Sequence, residues 1–145
     1  MDQAQLNAVN HHCVCFGLRK TTRAVTQFYD HILEPSGIRS TQFTLMSMMA
    51  ASSARTMTEL ANSLVMDRTT LTRNLKPLEK MGMIMSVGSQ DKRSKVFALS
   101  PAGQEALNRA IPLWENAQNK LVHALSSEKL TQMQRVLEEV SKVVL

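Results

Sequence analysis

Two runs decide the fold of this 145-residue chain: Thr56-Met57-Thr58-Glu59-Leu60-Ala61-Asn62-Ser63-Leu64, and Asp67-Arg68-Thr69-Thr70-Leu71-Thr72-Arg73-Asn74-Leu75-Lys76-Pro77-Leu78-Glu79-Lys80-Met81-Gly82. The first reads as a short helix carrying Leu60, Ala61 and Leu64, opened either by Thr58 as a cap or by Thr56 with Glu59 as a capping box. Asp67 offers the cap of a second helix. Its spacing puts Leu71, Leu75 and Leu78 on one side and leaves Arg68, Thr69, Thr72, Arg73 and Lys76 facing outward. Gly82 closes it by permitting a left-handed residue. Pro77 lacks an amide donor and its ring presses on the carbonyl of Arg73, so a bend is expected there.

Downstream, Ile84 to Val87 and Lys95 to Leu99 are short segments rich in β-branched and apolar residues, joined by the polar run from Gly88 to Ser94. They predict a hairpin with an exposed basic tip. Between Arg68 and Lys95 seven basic residues face two acids, an excess of five that equals that of the whole chain; starting at Asp67 lowers it to four. Charge runs are usually solvated faces, but two consecutive short helices followed by a hairpin match the order of a winged helix-turn-helix. In that arrangement the second helix enters the DNA major groove and the hairpin reaches beside it. The side chains suit the place. Thr69, Thr70 and Thr72 can bond phosphate or touch base edges, while Arg68, Arg73 and Lys76 can pair with phosphates or guanine edges.

The flanks read as helices. Cys15, Leu18, Thr22, Val25, Tyr29 and Ile32 recur at spacings of three and four, predicting a long first helix that stops before Pro35. Ser40 is the expected cap of the next helix, whose buried side includes Phe43, Leu45, Met46 and Met49. Ser100-Pro101 opens a long helix through Leu107, Ala110, Trp114, Ala117 and Leu121. Ser126 caps the last one, in which Leu130, Met133, Leu137, Val140 and Val144 form a narrow seam suited to another helix. Trp114 and His123 read as core or interface residues, and the ten methionines read as core filling more than as an adaptable pocket.

The expected fold is mostly α with a small β-hairpin wing, one domain over residues 1–145 with the DNA-binding lobe at 55–99. A hydrophobic content of 43% supports a core. No apolar stretch approaches the ~20 residues needed to span a bilayer, and Met1-Asp2-Gln3 lacks a secretory layout, so no membrane partner and a cytoplasmic location are expected. Cys13 and Cys15, one residue apart, make no disulfide framework. No residue pattern calls for a cofactor.

Five runs together resemble the MarR family of bacterial regulators: Thr58-Glu59-Leu60-Ala61, Asp67-Arg68-Thr69-Thr70-Leu71-Thr72-Arg73, Leu78-Glu79-Lys80-Met81-Gly82-Met83-Ile84, Asp91-Lys92-Arg93, and Leu99-Ser100-Pro101-Ala102-Gly103. The resemblance implies a homodimer made by the terminal helices (1–34 and 101–145) on a near-palindromic operator, with repression as the default. It also implies that Arg93 enters the minor groove while Asp91 orients the wing, a sensible use of arginine because narrow A·T-rich minor grooves concentrate negative potential. Small aromatic ligands would bind where the dimer-forming helices meet the DNA-binding lobe.

The cysteines admit three readings. Placed on one helix, His11, Cys15 and Arg19 would share a face, and a nearby cation favours the thiolate of Cys15. Cys15-Phe16-Gly17-Leu18 with Tyr29 is similar to the MarR subgroup that senses organic hydroperoxides through an N-terminal cysteine hydrogen-bonded to a tyrosine. Two other tyrosine positions of that subgroup hold Arg19 and Ser40 here. Tyr29 lies about 21 Å from Cys15 along one helix, so such a bond must come from the other subunit. His11, His12, Cys13 and Cys15 could instead offer soft ligands to a metal or metalloid, at a spacing poor for tetrahedral zinc. Inert interface residues are the third reading. A thiol-dependent enzyme is the rival class, but no Gly-rich phosphate loop, acid pair or second base accompanies the cysteines. A helical adaptor that binds without regulating a promoter is the other.

Overall fold

The computed structural model describes residues 2–52, 55–88 and 95–144. Seven α-helices run in the order α1 (Gln3–His12), α2 (Val14–Leu33), α3 (Ser40–Ala50), α4 (Met57–Leu64), α5 (Arg68–Lys80), α6 (Pro101–Leu125) and α7 (Ser127–Val144). Three strands, β1 (Arg55–Thr56), β2 (Ile84–Val87) and β3 (Val96–Leu99), form one antiparallel sheet in the order β1-β3-β2. This is the mostly helical winged helix-turn-helix architecture, with terminal helical regions apart from the wing, that the sequence predicts.

The local signals act where they were expected. Proline at position 35 turns the end of α2 into a single 3-10 turn, Glu34–Ser36, and Gly37 leaves it at φ 77°. Gly82 closes the turn after α5 at φ 68°. Ser100 accepts from the Gly103 amide at 3.0 Å to cap α6, with Pro101 at the first helical position.

Three elements differ from the sequence reading. An additional helix, α1, precedes the long one, capped by Asp2, whose carboxylate accepts from the Ala4 amide at 2.9 Å. The chain breaks at Cys13, where ψ is 109° and the backbone is extended. The sheet also gains β1, a two-residue strand whose Arg55 and Thr56 pair with Phe97 and Val96. Finally, Ser40 is the first residue of α3 rather than its cap. Its amide and hydroxyl both donate to Asp30 Oδ1 at 2.7 Å, and the Arg39 amide donates to Gln42 Oε1 instead. An acceptor supplied by α2 overrides the local preference.

The core gathers where α3, α5, β3 and α6 meet. Leu45, Met46, Met49, Leu71, Leu75 and Leu78 are fully buried, and Phe97 fills the wing side. Each such side chain contributes about 1.5 to 3 kcal/mol by leaving water. Ala106, Ala110 and Ala117 give α6 a smooth inward face on which neighbouring helices pack closely. Gly103 permits the tightest approach: a Cβ there would lie 1.9 Å from the Met83 carbonyl oxygen. Two more bonds fasten this junction, since the Ser100 hydroxyl donates to the Gly82 carbonyl at 2.5 Å and the Ser100 amide to that of Met83 at 3.0 Å. The wing base and the start of α6 are thereby one unit.

The terminal helices are different in kind. None of the described residues of α7 is buried in the protomer, although Leu130, Met133, Leu137 and Val140 keep their three-four spacing. Leu6, Val9, Phe16 and Leu18 are exposed on α1 and the start of α2. No helix among the described residues is long and apolar enough to cross a membrane.

Candidate nucleic-acid interface and adjoining cavity

Local bonds build the two helices of the motif. Thr56 and Glu59 form the capping box: the Glu59 amide donates to Thr56 Oγ1 at 3.1 Å, and the Thr56 amide donates back to Glu59 Oε2 at 2.7 Å. Thr58 is thus not the cap. That backbone bond, followed by one from the Thr56 hydroxyl, holds the Glu59 carboxyl below its ordinary pKa. The turn between the helices passes through Val65 at φ 51° and ψ 44°, a left-handed conformation unusual for a β-branched residue. Asp67 then caps α5, accepting from the Thr70 amide at 2.8 Å and the Thr70 hydroxyl at 2.7 Å. Those two bonds, the amide first, lower its pKa.

Arg68, Thr69, Thr72, Arg73 and Lys76 line one shallow concavity of about 410 Å³ on the outer side of α5. Arg68 also reaches across to α4, its Nη2 donating to Thr58 Oγ1 at 2.8 Å. That bridge ties the two helices of the motif together at their exposed side. Thr72 Oγ1 donates back to the Arg68 carbonyl at 2.7 Å, which leaves its methyl and oxygen lone pairs outward. Thr70 stands apart from this surface, half-buried with its hydroxyl held by Asp67. α5 continues through Pro77 to Lys80. Lys95 is exposed at the foot of β3, where its carbonyl accepts from the Met57 amide at 3.2 Å. Asp91 and Arg93 lie outside the described residues. A cationic, hydroxyl-bearing concavity on a helix of this kind can bond phosphates and read base edges.

The cysteine cluster does not assemble as one helical face. His11 and His12 end α1, Cys13 is the extended break, and Cys15 belongs to α2, so His11 does not share a helix with Cys15. Cys15 and Arg19 do remain one turn apart on α2. Both thiols are exposed. Among the described residues no three His, Cys, Asp or Glu side chains come together as metal ligands. Tyr29, on the same helix as Cys15, donates its hydroxyl to Gln118 Oε1 of α6 at 2.7 Å, and burial raises its pKa.

A cavity of about 670 Å³ opens between α2, α3 and α6. Tyr29 and Val25 form its α2 wall, Phe43 and Thr44 its α3 wall, and Ile111 and Trp114 its α6 wall. The Phe43 and Trp114 rings stack with centroids 6.1 Å apart and planes 19° from parallel. The sequence reading expects a small aromatic ligand where the dimer-forming helices meet the lobe at 55–99 and names no residue for it; none of the residues lining this cavity lies within 55–99. Trp114 appeared there only as core or interface. Met46 and Met49 fill the core, and no methionine lines the cavity. Its walls join two neighbouring helices, α2 and α3, to the distant Ile111 and Trp114 of α6, so no local pattern announces them.

The MarR family model matches residues 38–95. The M. tuberculosis transcriptional regulator MosR, solved in complex with DNA, is 32% identical, the match covering 91% of this chain and 98% of that one with a TM-score of 0.80. The homoprotocatechuate degradative operon repressor of Escherichia coli is 24% identical over 130 residues, 89% of this chain and 88% of the repressor. A mutant of E. coli MarR complexed with operator DNA shares the fold, with a TM-score of 0.83 at 19% identity over 97% and 99% of the two chains.

Proposed function

The chain belongs to the MarR family of winged helix-turn-helix, DNA-binding transcriptional regulators, and on that premise we propose that it is a homodimeric repressor released from a near-palindromic operator by a chemical signal in the bacterial cytoplasm. The observation that carries this reading is the single cationic surface made by Arg68, Thr69, Thr72, Arg73 and Lys76. α5 enters the major groove, with Arg73 at a base edge and Arg68 and Lys76 on phosphates. Thr70 contributes through its own short reach and through the cap it completes with Asp67. Lys95 approaches the backbone at the foot of the wing, and Arg93, oriented by Asp91, enters the flanking minor groove. Dimerisation falls to residues 1–34 and 101–145, supported by the exposed Met133, Val136 and Leu137 of α7 and the exposed Phe16 and Leu18.

Replacing Arg73 with alanine is expected to weaken operator binding by about 1 to 3 kcal/mol and to relax preference at one base position. Fluorescence anisotropy at fixed salt, on operators selected from a random pool, measures both. Unchanged affinity and unchanged preference would refute the placement of α5. Arg93→Ala is expected to weaken binding with a smaller effect on major-groove preference.

The signal enters through the cavity, whose size and apolar walls suit a small aromatic ligand. A second reading is favoured by the exposure of Cys13 and Cys15 at the start of α2. There an organic hydroperoxide oxidises the Cys15 thiolate to a sulfenic acid and is itself reduced to the alcohol, with Tyr29 of the other subunit as the hydrogen-bond partner. Release of DNA by hydroperoxide from the wild type but not from Cys15→Ser supports it; equal release from both excludes it.

A further inference from the structure

Thr58 is left without the part that its place in the sequence suggests. The cap of α4 is Thr56, closed by Glu59, so the start of the helix is complete without the Thr58 hydroxyl. The side chain is exposed on the second residue of α4, and its oxygen accepts from Arg68 Nη2 of α5 at 2.8 Å.

Arg68 is the first residue of α5. The N-terminal residues of a recognition helix are the ones that ordinarily meet base edges, while the first helix of the motif crosses the DNA backbone. The three cations on the outer side of α5 are not equivalent in this respect. Among the described residues Arg73 and Lys76 donate to no protein acceptor, whereas Arg68 is drawn sideways onto α4. The carboxylates nearest in sequence are engaged elsewhere, Asp67 by the Thr70 amide and hydroxyl and Glu59 by the Thr56 amide and hydroxyl. A guanidinium carries five donors in a rigid fork, so one bond to Thr58 leaves others for an acceptor outside the protein. A long side chain already held in place also gives up less rotamer freedom when it binds.

Resting on the placement of α5 in the major groove given above, we propose that Thr58 is a positioning residue for DNA binding. It holds the Arg68 guanidinium on the α4 side of the motif, where the guanidinium clasps a backbone phosphate and is kept from reading a base. Base reading by the arginines of α5 then falls to Arg73 alone.

The test is a double-mutant cycle on the full-length protein. Thr58→Val, Arg68→Ala and the double variant are titrated on a selected operator at a series of salt concentrations, beside Thr58→Ser and Arg73→Ala. Arg68→Ala is expected to reduce the salt slope by about one and to leave the bases selected from a random pool unchanged. Thr58→Val is expected to weaken binding about three- to tenfold when Arg68 is present and less than about 1.5-fold when it is alanine. Any loss of stability common to both backgrounds cancels in the cycle. Thr58→Ser keeps the oxygen and is expected to bind as the wild type does. Equal losses from Thr58→Val in both backgrounds would overturn the positioning, as would a Thr58→Ser protein that behaves like Thr58→Val. An Arg68→Ala protein that loses preference at one base would show Arg68 reading that base and overturn the phosphate assignment. Arg73→Ala keeps the two readings apart. If it changes neither affinity nor preference, the placement of α5 fails and Thr58 loses its role with it; if it changes both while the cycle is additive, only the role of Thr58 is lost.

Discussion

Val65 is the residue at which the turn of the motif departs most from what its side chain prefers. Its φ of 51° and ψ of 44° place a β-branched side chain in the left-handed region while the side chain itself is 64% exposed. The conformation costs about 1 to 2 kcal/mol and no burial offsets it. Val65→Gly is therefore expected to raise the unfolding free energy by about 1 kcal/mol, read as a higher Tm at fixed protein concentration, with the turn unchanged. A lower Tm would show that valine's β-branching suits the site. Single residues were also where the sequence spoke most clearly. Thr56 with Glu59, Asp67, Gly82 and Ser100 with Pro101 each carry a local chemical reason for their place, and each holds it. Ser40 fails that logic because its partner, Asp30, is ten residues back on another helix and visible only after packing.

At the scale of elements, the caps of α4 and α5 make the motif sensitive to acid. Glu59 and Asp67 both have pKa values below their ordinary ones, so the stability they confer is complete above the ordinary carboxylate range, about pH 5, and is lost as pH falls through their lower folded values. The double variant Glu59→Gln, Asp67→Asn keeps hydrogen-bond acceptors without the titration. Its stability is expected to vary less with pH than the wild type's across this acid limb, in denaturant titrations at a series of pH values. Gly103 is the other joint between elements. Its substitution by alanine drives a methyl group into the Met83 carbonyl, with backbone on both sides, and is expected to cost about 3 kcal/mol. A lowered Tm with wing and α6 separated, seen as loss of operator binding, checks it; a fully stable Gly103→Ala variant would refute the close approach. Elements missed by sequence reading have a common cause. β1 is two residues long, below any periodic signal, and exists only because β3 offers Arg55 and Thr56 an edge. α1 carries only Leu6 and Val9 as large apolar residues on a mostly polar helix and so shows little pattern.

For the whole molecule, the missing burial of α7 is the decisive feature. A seam in which Met133 and Leu137 are exposed, and Leu130 and Val140 only half-buried, in the protomer is consistent with a second copy. Leu137→Glu, at a position 41% exposed in the protomer, is expected to leave the monomer folded and split the dimer. An uncompensated carboxylate in such an interface costs about 3 kcal/mol or more. Sedimentation velocity reads the change in mass, and operator binding falls with it. A Leu137→Glu protein that stays dimeric would move the interface elsewhere. The fold class and the outward-facing, cationic side of α5 were legible because helix periodicity and caps are local. The cavity was not, because residues of α2 and α3 and the distant Ile111 and Trp114 of α6 together contribute its walls.

The small strand β1 has one more consequence. It runs straight into α4 while its other edge is bonded to β3, and the Met57 amide adds a bond to Lys95 at the same place. The position of α4 relative to the base of the hairpin is thus set inside the protomer, whereas under the proposed dimer the distance between the two protomers depends only on contacts between the terminal helices. Operators selected from random DNA should accordingly keep invariant intervals within each half-site and carry all their length variation in the central spacer.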